Sequence, residues 1–180
     1  MTASNGTRGG FQMRNGILTS QETEMTYRIT GLSPEPFADL IGQDDATLAQ
    51  RGAMRVTATG KPGFPCRVSL DDAAPGETLI LFNHVSHDVA TPYRSAYAIY
   101  VRENAPAAAV FEDALPPVLE NRPIAFRAFD SAGMLRNAAL ALPGEADAKI
   151  RTLFEMPEIA YLHAHSAAHG CFVAKVERTG

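Results

Sequence analysis

The stretch IAYLHAHSAAHGCFVAKVER, residues 159–178, decides the fold that we expect for this chain. Apolar and polar side chains alternate on both sides of a run of small residues, SAAHG at 166–170. A period of two is typical of a β-strand, and such a run is typical of the loop between two strands. The stretch therefore predicts a β-hairpin, in which we place His165 opposite Cys171.

This register assigns each side chain of the hairpin to one of two faces, because successive strand residues point to opposite sides of a sheet. One face is apolar and is expected to be buried against the core: Ala160, Leu162, Ala164, Phe172, Ala174 and Val176. The other face is mostly polar and either meets solvent or lines a site: Tyr161, His163, His165, Cys171, Val173, Lys175 and Glu177.

Elements upstream of this hairpin indicate the fold class. Residues 124–130 and 134–140 alternate on either side of the turn sequence DSAG, which predicts a second hairpin. A helix is predicted at residues 145–155, where apolar side chains recur at helical spacing. Hairpin signals outnumber strand–helix–strand alternation, which favours an α+β fold with one mostly antiparallel sheet of about six to eight strands and a few helices packed on it.

Composition narrows the class of protein. The chain has 180 residues, of which 46% are hydrophobic and 20% charged, as in an ordinary globular domain. Its net charge is −4 and its pI about 5.7, without a basic run, so we expect no nucleic-acid partner. No apolar run approaches the roughly 20 residues of a membrane helix, so we expect no membrane association.

The first 24 residues differ from the rest. They are rich in Gly, Ser, Thr and Asn and lack the succession typical of a secretory signal. We predict a flexible N-terminal extension at residues 1–24 and a single α+β domain at residues 25–180, located in the cytoplasm. The two cysteines, Cys66 and Cys171, are too few for a disulfide scaffold.

Three arginines are candidates for holding a small anionic molecule: Arg67, Arg94 and Arg127. The run KPGFPCR at residues 61–67 places the first of them beside Cys66 on a backbone constrained by two prolines. Either Arg67 forms an ion pair on the surface, or its planar fork of donors binds a carboxylate or phosphate.

Histidines outside the hairpin strands add to the candidate site. His84 and His87 stand three positions apart at the end of an apolar strand that starts near residue 77. We interpret them either as metal ligands or as two solvated loop histidines. The sequence leaves open whether they, or His169 in the hairpin loop, join the site.

Several runs taken together resemble a small bacterial family catalogued as a domain of unknown function. The resemblance extends over about residues 25–178 and implies no activity, cofactor or partner, since none is assigned to that family. The runs are KPGFPCR at 61–67, TPYRS at 91–95, FRAFD at 126–130, and YLHAH at 161–165 with Gly170 and Cys171.

On the histidine face we expect the side chains of His163, His165, Cys171 and at least one of the three arginines to converge. Three functions from different classes fit this face. We favour binding of a small anionic molecule. The second function is a small hydrolase or isomerase-like enzyme, in which His163, His165 and Cys171 bind a metal such as zinc, or a histidine activates Cys171 as a nucleophile. The third is a structural or interaction protein whose histidine face another subunit covers. The oligomeric state stays open.

Overall fold

A computed structural model describes residues 25–179, so the expected extension at residues 1–24 lies outside the described residues. This part of the chain forms nine strands and three α-helices. The strands are β1 (Thr26–Thr30), β2 (Met54–Thr57), β3 (Thr78–His87), β4 (Ser95–Arg102), β5 (Val110–Glu112), β6 (Ile124–Phe129), β7 (Leu135–Ala141), β8 (Tyr161–Ser166) and β9 (Phe172–Thr179). The helices are α1 (Asp45–Gln50), α2 (Pro117–Glu120) and α3 (Ala146–Phe154), and a 3-10 turn lies at Glu35–Phe37.

The strands are arranged in two sheets. A six-stranded sheet has the order β5-β1-β9-β8-β6-β7, and a three-stranded sheet has the order β2-β3-β4. Every pair of neighbouring strands is antiparallel. The α+β class with mostly antiparallel strands is confirmed, while the strands are divided between two sheets instead of joined in one. Alternation shows which residues form strands, but not which strands pair.

The main core lies between the six-stranded sheet and α3. Leu162 of β8 and Phe126 of β6 are buried in the same cluster as Ile150 and Phe154 of the helix. The helix forms where it was predicted, since its apolar residues at i, i+4 and i+8 make one continuous stripe. In residues 25–179, no helix is long and apolar enough to cross a membrane.

The register of the β8–β9 hairpin differs from the predicted one. Ala164 pairs with Ala174, but His165 pairs with Phe172, and the register shifts between the two pairs. A shift of this kind marks a β-bulge, in which one strand carries an extra residue. Alternation of apolar and polar residues does not reveal a bulge, and the pairing of His165 with Cys171 was therefore wrong.

The bulge changes the face on which Phe172 lies. Leu162, Ala164 and Ala174 are buried together in the main core, as predicted. Phe172 is also buried, but its ring lies 5.0 Å from that of His163 and 5.9 Å from that of His165, measured between centroids. It therefore packs on the histidine side of the sheet, which corrects the prediction that it shares the face of Leu162.

A close backbone contact at Gly31 fixes the position of the segment that carries Arg67. Gly31 N–H donates to the carbonyl of Ala109 at 2.8 Å, and Leu32 N–H donates to the carbonyl of Arg67 at 2.7 Å. A Cβ atom on Gly31 would lie 2.1 Å from the carbonyl oxygen of Val68. Only glycine fits at this approach without moving the backbone.

We expect Gly31→Ala to lower the free energy of unfolding by about 1–3 kcal/mol, because the backbone at Val68 must move. Gly60→Ala is the matched control, since a Cβ atom there meets nothing within 4 Å. Urea denaturation of both variants measures the difference. Equal stability of the two variants would contradict a close contact at Gly31.

Candidate functional site

Three buried histidines lie between the two sheets. His163 and His165 project from β8, and His87 projects from β3 of the other sheet. The ring centroid of His163 is 4.9 Å from that of His87 and 6.1 Å from that of His165. Each of the three residues is at most 4% exposed. They form a continuous row of imidazoles, which we call the histidine row.

Hydrogen bonds fix the tautomers of two histidines in the row. Nδ1 of His165 lies 2.9 Å from the carbonyl oxygen of Gly170, and since a carbonyl only accepts, Nδ1 carries the proton. Nδ1 of His87 likewise donates to the carbonyl of Tyr93 at 2.9 Å, and its Nε2 lies 2.8 Å from the hydroxyl oxygen of Tyr161. Each of these two rings therefore carries a proton on Nδ1.

The surroundings of the row disfavour protonation. Burial, together with smaller contributions from nearby His87, His165, Lys175 and Arg127, lowers the pKa of His163 to about 3. Burial also lowers the pKa of His165 to about 4, against the hydrogen bond to Gly170. Arg127 and Lys175 lie directly opposite His163 on β6 and β9, so they share its face of the sheet. His163 and His165 are therefore neutral near pH 7, beside fixed positive charges.

His84 and His87 lie in a different place from the loop that one interpretation of the sequence predicted. Both belong to β3, which continues to His87 instead of ending in a loop. His87 is 3% exposed and joins the histidine row, so its interpretation as a solvated loop residue was wrong. His84 is half-buried with its ring edge against Phe37, and burial lowers its pKa.

A cavity of about 540 Å³ opens beside the row. Side chains from both sheets and from the loops that join their strands form its wall. The lining residues are Pro62, Gly63, Pro65, Arg67, Leu81, Ala98, Tyr100, Asn121, Arg122, Pro123, Ser166, Ala168, His169, Cys171 and Val173. Cys171 and Arg67 therefore meet here, whereas His163 and His165 belong to the row.

Arg67 is the most unusual residue of the cavity wall. It is 3% exposed, and its Nε donates to the carbonyl of Phe172 at 2.8 Å while one terminal nitrogen donates to the carbonyl of Pro65. Among residues 25–179 it has no carboxylate partner, so the surface ion pair, one of the two interpretations from the sequence, is not formed. Burial lowers its pKa to about 10, which leaves the guanidinium charged near neutral pH.

A second arginine of the cavity wall was not predicted from the sequence. Arg122 forms an ion pair with Asp72, whose side chain is 6% exposed and also accepts a hydrogen bond from Gly63 N–H at 3.0 Å. The two residues are 50 positions apart, and no local pattern in the sequence links them. The pair neutralises Arg122.

The other candidate arginines lie outside the cavity. Arg94 is exposed and pairs with Asp88 at 2.7 Å. Arg127 donates to the hydroxyl of Tyr97 at 2.5 Å beside the histidine row. The three arginines predicted to hold an anion are therefore in three places, and one of them, Arg67, lines the cavity.

The predicted metal ligands are not brought together. In the part of the chain that the structure describes, no group of three or more His, Cys, Asp or Glu side chains is arranged to hold a metal ion. Cys171 directly precedes β9, and its sulfur lies 3.8 Å from the carbonyl oxygen of His169. Cys66 and Cys171 are both free thiols.

Comparisons with known proteins identify a family and nothing beyond it. No curated protein matches this chain, and no solved structure matches it. A family model described as a protein of unknown function (DUF1203) matches residues 63–178, which is more than half of the chain and includes Arg67, His163 and Cys171. The match begins at residue 63, later than the resemblance suggested. The chain belongs to this family of proteins of unknown function, DUF1203.

Proposed function

We propose that this protein binds a small anionic molecule in the cavity, with Arg67 as the group that attracts it. The observation that carries the proposal is a buried guanidinium without a carboxylate partner in residues 25–179, on the wall of an open cavity. A buried charge is costly unless it is paired. An anion in the cavity would supply the missing partner.

The geometry of Arg67 suits this role. Its bonds to the carbonyls of Phe172 and Pro65 hold the side chain rigid and leave the second terminal nitrogen without a partner in the described part of the chain. A guanidinium presents a planar fork of donors that matches a carboxylate or phosphate. Because little water reaches a buried group, its attraction for an anion is stronger than at the surface.

The rest of the wall does not oppose an anion. None of the described lining residues is an aspartate or glutamate. Tyr100, Asn121 and Ser166 add hydroxyl and amide groups that donate hydrogen bonds. Charge and hydrogen-bonding capacity thus both favour a negatively charged ligand.

Arg67→Gln is expected to weaken anion binding by about tenfold or more, because a hydrogen bond to a charged group contributes about 1.5–3 kcal/mol. Isothermal titration calorimetry with acetate, hexanoate and inorganic phosphate at constant ionic strength measures the effect. Arg94→Gln is the matched control, since Arg94 is exposed and paired with Asp88 outside the cavity. Equal loss of binding in the two variants would contradict a specific role for Arg67.

A second pair of variants tests the proposal without changing the buried arginine. Ala98 lines the cavity from an exposed position on β4. Ala98→Asp places a negative charge there and should abolish anion binding, whereas the isosteric Ala98→Asn should retain it. Equal binding by these two variants, in folded protein, would show that the anion does not occupy this cavity.

Binding fits the observations better than thiol catalysis does. A cysteine nucleophile requires a base within hydrogen-bond reach. In the described residues the hydrogen bond of the Cys171 thiol goes to the carbonyl of His169, and the imidazole of His165 is held by the carbonyl of Gly170. Neither arrangement activates the sulfur.

A further inference from the structure

We infer that the anion is a monocarboxylate with an apolar body of several carbons. This inference rests on the proposed function, because it specifies the ligand of the same cavity. Three features of the wall carry it: the number of uncompensated charges, the chemistry of the remaining surface and the volume.

The charge of the wall matches one negative charge. Arg122 lines the cavity but is neutralised by Asp72. Two more cations of this region are also compensated. Arg102, which donates to the carbonyl of Asp72, lies 3.4 Å from Glu77, and Lys61 lies 2.8 Å from Asp71. Arg67 is thus the uncompensated arginine of the described wall. A phosphate monoester carries nearly two negative charges near neutral pH and would bring one in excess.

The remaining wall is mostly apolar. Leu81, Val173, Pro65, Pro123 and the ring of Tyr100 line the cavity together with small alanine side chains. A second carboxylate on the ligand would lose its water against this surface without gaining a cation. Methylene groups placed there would instead be removed from water, which is favourable in proportion to the area buried.

The volume exceeds that of a ligand that consists of the charged group alone. A water molecule occupies about 30 Å³ in the liquid, so a cavity of about 540 Å³ holds many more atoms than an acetate ion has. A ligand that only neutralised Arg67 would leave the apolar wall in contact with water. A monocarboxylate with a chain or ring of several carbons fits both the charge and the wall.

Calorimetric titration with five probes at constant ionic strength tests this inference. The titration is carried out at about pH 8, where a free imidazole is neutral and adds no positive charge. The probes are hexanoate, acetate, adipate, hexanamide and inorganic phosphate. Hexanoate should bind about tenfold or more tightly than each of the others. Acetate lacks the body, hexanamide lacks the charge, adipate adds a second carboxylate to the same chain, and phosphate has the wrong charge and no body. Arg67→Gln should remove most of the preference of hexanoate over hexanamide.

The outcomes separate this inference from the proposed function. If acetate or phosphate binds as tightly as hexanoate and depends on Arg67, the protein binds anions but the inference is wrong. If adipate binds more tightly than hexanoate, a second cation serves the site and a monoanion is excluded. If no anion binds in a manner that depends on Arg67, the proposed function fails and the inference fails with it.

Discussion

Leu162→Ala is expected to lower the free energy of unfolding by about 2–5 kcal/mol, the range for truncating a buried leucine. Leu162 is fully buried and is the second residue of β8, opposite Ala128 on β6 and Val176 on β9. Both neighbouring strands and α3 contribute to the cluster around it, so the surroundings have little freedom to collapse into the space. Urea denaturation followed by circular dichroism measures the change.

Leu140→Ala is the matched control for this substitution. Leu140 belongs to β7 of the same sheet, but it is 56% exposed. Surface substitutions usually change stability by no more than about 0.5 kcal/mol. If both leucine variants lost the same stability, the assignment of the buried face of the six-stranded sheet would be wrong.

The sequence predicted those parts of the fold that depend on local periodicity. The stripe of α3 and the alternation of β8 correctly indicated a helix and a strand with a buried Leu162 face. The bulge in β9 could not be predicted, because it depends on how the backbone of β9 meets β8 and leaves no mark on the alternation. One extra residue was enough to place Phe172 on the other face.

The candidate site was predicted only in part, because it too depends on contacts between distant residues. Arg67 and Cys171 were each singled out from residue type, and both line the cavity. They lie in the same region as the Asp72–Arg122 pair because distant segments of the chain pack together. No single stretch of the sequence predicts that packing. The burial of His87 depends on β3 packing over β8, so its spacing from His84 gave no indication of it.

Lowering the pH from about 7.5 to about 5.5 is expected to reduce the free energy of unfolding by about 2–3 kcal/mol through His163 and His165. Burial lowers the pKa of these imidazoles to about 3 and about 4 in the folded protein. In the unfolded chain an imidazole titrates near pH 6.5. Between these values the unfolded chain binds more protons than the folded protein, so acidification favours unfolding.

The sign follows from the direction of both shifts. Above about pH 6.5 the histidines are neutral in both states, and their contribution is fully present. As the pH falls toward the folded pKa values, each histidine costs about 1.4 kcal/mol per pH unit. Arg127 and Lys175 beside His163 strengthen the effect, because a protonated imidazole there would meet positive charges. Urea denaturation at a series of pH values measures this slope.

His163→Gln should reduce the contribution of His163 and His165 to this slope by about half, because a glutamine side chain does not titrate and His165 remains. His169→Gln is the matched control, since it removes an exposed imidazole from the loop after β8 and should leave the slope as in the original protein. The measurements stay above about pH 5.5, because carboxylates with lowered pKa values, such as Asp147, contribute at lower pH. A slope that His169→Gln reduces as much as His163→Gln would contradict the burial of His163 in its neutral form.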